Sequence, residues 1–251
     1  MLTWASLRWV VRHRAWTPYH LVRYLRYARL RLTNRHVVTE GLVFLGKGVE
    51  LSAHRGYGRL VIGRLAHLGD HTALRAHEGT LRIGEKAVLG ARVTVNSYMH
   101  VEIGAASLVG DDVYICDFDH RYEGLDRPIK DQGIAKAPVR IGADVWLGTK
   151  VTVLRDVDIG AGCVVGANSV VTRDLPPYSV AAGVPATVLK SRIAPDQPVP
   201  QPERVPRPER VPRPEPVPRP EPAPRPETIP VADRRSRLTG ALPREPPATD
   251  E

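Results

Sequence analysis

The sequence predicts a mainly β fold: a parallel β-helix of six-residue repeats, preceded by a short α-helical arm and followed by a disordered, Pro-rich C-terminal tail. Three observations predict it. Stepping in sixes from Ile141 meets Leu147, Val153, Ile159, Val165 and Val171 without a break. Gly follows at Gly142, Gly148, Gly160 and Gly166, while Val145, Val151 and Val157 keep the same stride four residues on. The phase returns upstream in shorter runs, at Ile62 and Leu68, at Ile83, Leu89 and Val95, and at Ile103, Val109 and Ile115. A period of six matches neither an α-helix nor a plain strand. It belongs to a chain that turns a corner every six residues.

The arm, residues 1–40, comes first. Residues 1–36 contain eight Arg and no acid. They read as one or two short helices broken near Pro18, with Leu21, Leu25, Ala28 and Leu32 on one face and Arg23 and Arg26 on another. Trp4, Trp9 and Trp16 add large amphipathic rings. Two roles fit. The arm caps the end of the β-helix, whose last coil otherwise exposes apolar side chains and strand edges. It also suits attachment to an anionic membrane surface or a lipid-linked substrate.

Residues 41–190 are the repeat domain. Three six-residue flats make a triangular coil of eighteen residues, and Ile141 to Ile159 is one full coil. The aliphatic residue points inward. The small residue after it, Gly in ten cases, is expected to supply the backbone angles of a tight corner. Phase slips near 74–83 and 95–103 imply bulges or corner loops. The repeat stops between His120 and Val139, and the loop 121–138 is long enough to be functional.

The tail, residues 191–251, holds eighteen of the twenty-four prolines. Its run PERVPRPERVPRPEPVPRPEPAPR blocks helix and ladder alike and offers little apolar area, so it reads as an extended, disordered spacer. Its PxxP spacings are compatible with a partner. The segment 37–190 balances seventeen basic residues against seventeen acidic ones, so the pI near 9.9 reflects the arm and is no sign of nucleic-acid binding. Two cysteines, Cys116 and Cys163, form no metal-ligand spacing and suit a reducing compartment. No apolar run has the length of a membrane span or a secretory h-region. Together these give a cytoplasmic expectation, with peripheral contact at the inner face of the membrane.

Among nine histidines one is distinctive. His13, His20 and His36 belong to the arm, His54 to a Gly-rich segment, and His67, His71, His77 and His100 to solvent-facing coil positions. His67 and His71 do not make a metal pair, because four residues on a flat do not converge as they do on a helix; no metal is expected. His120 ends the segment Cys116-Asp117-Phe118-Asp119-His120, where the coils give way to the loop. Asp117 and Asp119 are near enough in sequence for one of them to orient its imidazole. A histidine so placed suits a general base that activates a hydroxyl or amine. A plain loop histidine is the bland alternative. No nucleophilic serine motif accompanies it, which favours direct transfer.

The stretch IGADVWLGTKVTVLRDVDIGAGCVVGANSVVTRDLPPYSVAAGVPATVLK, with CDFDHRYEG before it, resembles the hexapeptide acyltransferases, in particular the maltose/galactoside O-acetyltransferase-like group that includes polysaccharide-modifying enzymes. The resemblance is strong over about 100–190, weaker over 60–100, and absent in the arm and tail. It implies a left-handed coil, an exception to the usual crossover hand, and a homotrimer with acyl-CoA, most simply acetyl-CoA, as co-substrate between neighbouring prisms; no cofactor is held permanently. It implies that His120 is the catalytic base, helped by Asp117 or Asp119. It places Trp146 at the acceptor pocket, Thr149, Ala167, Thr172 and Arg173 along the coenzyme groove, and Lys190 near its nucleotide end. Where sugar acetyltransferases carry acceptor-binding Asn and Asp, this chain has Gly90 and Ser97, with Asn96 adjacent. The implied activity is O-acyl transfer to a sugar hydroxyl of a glycan or glycolipid. Amino-sugar N-acyl transfer, a metal-dependent enzyme of the carbonic-anhydrase type and a non-catalytic trimeric scaffold are the alternatives.

Overall fold

In the computed structural model the chain from Val37 to Ser191 winds through three sheets in rotation. The structure describes residues 8, 10–12, 14–34 and 36–193; the expectations for Trp4, Trp9, His13 and the tail beyond residue 193 lie outside them. The first sheet begins with Val37–Thr39, the second with Phe44–Leu45 and the third with Glu50–Ala53, and each gains one parallel strand per coil. Like stacks on like. Ile62 lies beside Ile83, Ile83 beside Ile103, Ile103 beside Ile141 and Ile141 beside Ile159. The second sheet stacks Leu68, Leu89, Val109, Leu147 and Val165, and the third Leu74, Val95, Ile115, Val153 and Val171. All of these side chains are buried, and each contributes roughly 1.5–3 kcal/mol relative to exposure. The fold is a parallel β-solenoid, mostly β, as the six-residue stride requires.

The glycines after the inward aliphatics have a different cause from the one expected. None of Gly63, Gly84, Gly142 or Gly148 adopts a positive φ; the left-handed corner positions are taken by non-Gly residues such as Lys86, Ala106, Asp144 and Lys150, with φ of 55–58°. The glycines sit where the next coil passes. A Cβ on Gly84 would stand 2.4 Å from the backbone N of Ala105, and one on Gly142 2.5 Å from that of Ala161. Close stacking of backbones, not corner geometry, keeps these positions bare.

Departures from the eighteen-residue coil gather at one corner, where the third sheet hands over to the first. Ile62 to Ile83 takes 21 steps and Ile83 to Ile103 takes 20, against 18 from Ile141 to Ile159. The extra residues lie between Ala76 and Thr80 and between Ser97 and His100. One coil further on, the same corner carries the insertion after Asp117. That insertion is a hairpin, not an open loop: Phe118–His120 pairs antiparallel with Ile134–Lys136, and a single 3-10 turn at Ile129–Asp131 lies between them.

The helix Pro18–Thr33 covers the start of the solenoid, but not with the face that carries its leucines. Tyr27 and Leu30 are the buried residues. The Tyr27 hydroxyl donates to the Gly41 carbonyl at 2.7 Å, and Tyr24 and His20 pack against Phe44 with ring centroids 6.0 and 6.3 Å away. Leu21, Leu25 and Leu32 remain exposed. His67, expected at the surface, is instead stacked on Phe44 at 4.3 Å. Burial and the neighbouring Arg23 and His20 push its pKa below the ordinary imidazole value. At the other end, Ser179–Gly183 and Ala186–Ser191 form an antiparallel pair that terminates the second sheet.

Candidate active site

Asp117 anchors the corner from which the hairpin departs. It is fully buried, and its carboxylate accepts from the backbone N–H groups of Tyr98 (2.8 Å), Met99 (2.7 Å) and His100 (2.7 Å). The Ser97 hydroxyl completes the set at 3.0 Å. A buried carboxylate costs far less when hydrogen bonds to its charged form replace water. The carboxylate thus ties the extra residues of one coil to the base of the hairpin in the next.

His120 stands three residues on, exposed, paired across the hairpin with Ile134. Among the described residues no hydrogen bond joins it to Asp117 or Asp119, so the orienting carboxylate expected from sequence proximity is not formed. The reason is register. The oxygens of Asp117 are taken by residues 97–100, and Asp119 forms an ion pair of 2.6 Å with Arg155 on the following coil. Arg155 therefore ties the hairpin to the solenoid from the other side. The nearest ring to His120 is Phe118, edge-on at 6.2 Å.

Phe118 belongs to a column that sequence reasoning missed. Tyr98 packs edge-on to Phe118 at 4.7 Å and stacks on His77 at 4.5 Å. Lys136, from the returning hairpin strand, lies 5.6 Å over the Tyr98 ring and pairs with Glu78. The parallel ladders align Ala76 with Ser97 and Asn96 with Cys116, and the same register continued one residue past the first pair and two past the second brings 77, 98 and 118 into one row. Setting the unequal coils in that register is the signal that would have found them. His77 is thus partly covered rather than solvent-facing.

The remaining expected site residues fall into four groups. Ser97 is fully buried and spent on Asp117 and the Thr80 carbonyl, so it presents nothing to an acceptor. Asn96, on the third sheet beside Arg75 and Cys116, makes long contacts to His77 (3.4 Å) and Tyr114 (3.5 Å). Thr149 and Ala167 stack on the corner between second and third sheets, where the Thr149 hydroxyl donates to the Asp111 carbonyl and Ala167 is exposed. Thr172 and Arg173 lie on the hairpin's corner after the strand Val170–Val171. Trp146 is 54% exposed on the second sheet and shares a register row with Val164, Val180 and Lys190. One chain does not bring Trp146 to His120: they occupy a flat and a corner that do not adjoin.

Burial pushes the Cys116 and Cys163 thiols up, which keeps both protonated and unsuited to nucleophilic work. Among the described residues no group of three or more His, Cys, Asp or Glu side chains is arranged to hold a metal ion. No helix among them is long and apolar enough to cross a membrane.

Residues 138–173 match the pattern of the bacterial transferase hexapeptide (six repeats), a likeness confined to that stretch of the solenoid. A Mycobacterium tuberculosis protein bearing the name of a probable acetyltransferase is 54% identical over 191 residues, covering 76% of this chain and 64% of that one. WbbJ of Escherichia coli, named for O-acetyl transfer in lipopolysaccharide biosynthesis, is 40% identical over 111 residues, 39% of this chain and 57% of its own. The chain thus spans less than two thirds of either relative. A point variant of AntD, an N-acyltransferase from Bacillus cereus solved in complex with dTDP and coenzyme A, is similar with a TM-score of 0.55. It is 19% identical, over 66% of this chain and 89% of that one, and the likeness is one of fold.

Proposed function

We propose that the protein is a CoA-dependent O-acyltransferase that moves an acetyl group from acetyl-CoA to a sugar hydroxyl of a glycan or glycolipid. The observation that carries this reading is the placement of His120: an exposed imidazole on a hairpin fixed on one side by buried Asp117 and on the other by the Asp119–Arg155 pair. In the proposed reaction the imidazole takes the acceptor hydroxyl proton as the oxygen attacks the thioester carbonyl. The tetrahedral intermediate expels the CoA thiolate, which receives that proton. Backbone N–H groups offset the developing oxyanion charge. Asp117 acts as a positioning residue, through the corner it holds. Arg173 and Lys190 are exposed cations suited to coenzyme phosphates, and Thr149 and Ala167 border the pantetheine path.

In this reading Trp146 joins the site from a second copy of the chain, within the homotrimer with three shared sites that the sequence resemblance implies. A contact between Trp146 and His120 of different subunits reconciles their separation within one chain. The names of the mycobacterial relative and WbbJ support acetyl transfer, and that of WbbJ supports oxygen as the acceptor atom. Amine transfer is the second reading, since the same fold serves an N-acyltransferase.

His120→Ala is expected to lower turnover by about 10²–10⁴ while leaving thermal unfolding unchanged. Acetyl-CoA consumption with hydroxyl sugars and with amino sugars as acceptors reads both points. A near wild-type rate in the variant removes His120 from the role of base, and acetylation confined to amines replaces the hydroxyl reading.

A further inference from the structure

The helix Pro18–Thr33 carries two apolar faces, and the solenoid uses one. His20, Tyr24 and Tyr27 meet the first coil. Leu21, Leu25 and Leu32 lie about a third of a turn around the helix, at roughly 100° per residue, and are 51%, 71% and 80% exposed. Leu21 and Leu25 join Val10, Ala28 and Leu42 along an apolar cavity of about 660 Å³, with Arg31 at its rim. A helix whose work ended with capping the solenoid would need no such second stripe, and a contiguous exposed apolar surface marks a docking site.

Charge selects the occupant. Residues 8–34 contain seven arginines and no acid, and Arg8, Arg12 and Arg29 are exposed. A second copy of this chain brings the same positive charge to the contact, and an uncharged apolar partner leaves the arginines without counter-charge. An anionic bilayer meets both demands, with acyl chains for the leucines and headgroup phosphates for the arginines. We propose that the Leu21–Leu25–Leu32 face seats this protein on an anionic lipid bilayer, with the helix lying in the interface. The inference goes beyond the acyl-transfer reading and does not depend on it.

The full chain, mixed with vesicles of phosphatidylcholine alone or with added phosphatidylglycerol, is scored by flotation. Wild type is expected to float with the phosphatidylglycerol vesicles, less so at high salt. A Leu25→Glu, Leu32→Glu variant is expected to bind roughly tenfold more weakly or worse. Its thermal midpoint is expected to stay at the wild-type value, because both side chains are exposed; a lowered midpoint would show that they pack within the protein, against the proposal. Deletion of residues 1–7 is expected to preserve binding. Failure of wild type to bind anionic vesicles overturns the proposal, as does equal binding by the double variant. Loss of binding on deletion alone moves the contact to that segment and overturns it too. A changed oligomeric state in the double variant with vesicle binding intact assigns the face to a second copy instead.

Discussion

At the residue scale, Asp117 organises the candidate site without touching His120. Its oxygens accept three backbone N–H groups and one hydroxyl from residues 97–100. Asp117→Asn keeps the shape but turns one acceptor into a donor facing N–H or O–H groups that already donate. The expected cost is about 2–3 kcal/mol of stability, measured by chemical denaturation, with turnover falling because the corner beneath the hairpin shifts. Retention of both stability and turnover would show the four hydrogen bonds to be dispensable. The position of His120, on the element that interrupts the six-residue stride, was legible in the sequence. The part played by Asp117 was not. Its partners are main-chain groups from the coil before, and the unequal coil lengths hide which residues stack beneath it. Proximity along the chain suggested an imidazole partner; register across coils supplied a backbone one.

At the scale of elements, the coil glycines separate two explanations that the sequence alone leaves merged. Gly84 has an ordinary negative φ and a neighbour 2.4 Å from where a Cβ would stand, whereas Ala106 occupies the left-handed region at 58°. Gly84→Ala should therefore push backbone against backbone and destabilise by about 1–3 kcal/mol. Ala106→Gly relieves a left-handed Cβ and is expected to be neutral or stabilising by up to about 1 kcal/mol. Thermal unfolding of the two variants decides, and the reverse order would restore the corner-angle explanation. The period of six was legible because burial enforces it on every coil. The cause of the glycines was not, because close stacking and positive φ leave the same letter. The arm shows a similar limit: its leucine stripe was plain in the sequence, yet the face that docks is built from Tyr27 and Leu30, whose polar or isolated character breaks the pattern.

At the scale of the whole molecule, two residues of the proposed site lie apart. His120 stands on the corner between third and first sheets, and Trp146 on the second sheet, in a row running through Val164 and Val180 to Lys190. At the ~4.8 Å spacing of neighbouring strands that row extends about 14 Å from Trp146 to Lys190. Leu108, exposed beside Trp146, continues the apolar surface toward the other end of the same sheet. If each site takes His120 from one copy and Trp146 from the next, two defective variants must complement each other. His120→Ala and Trp146→Ala, each expected to be poorly active alone, are co-expressed in equal amounts. In a randomly mixed ring, a site works only when the copy giving the histidine carries the tryptophan change and its neighbour carries the histidine change, a pairing found in about one site in four. Recovery of roughly a quarter of wild-type turnover, in particles of three times the 27.7 kDa chain mass by light scattering, is the expected result. Activity no higher than that of the two variants measured apart would mean that His120 and Trp146 do not share a site across copies.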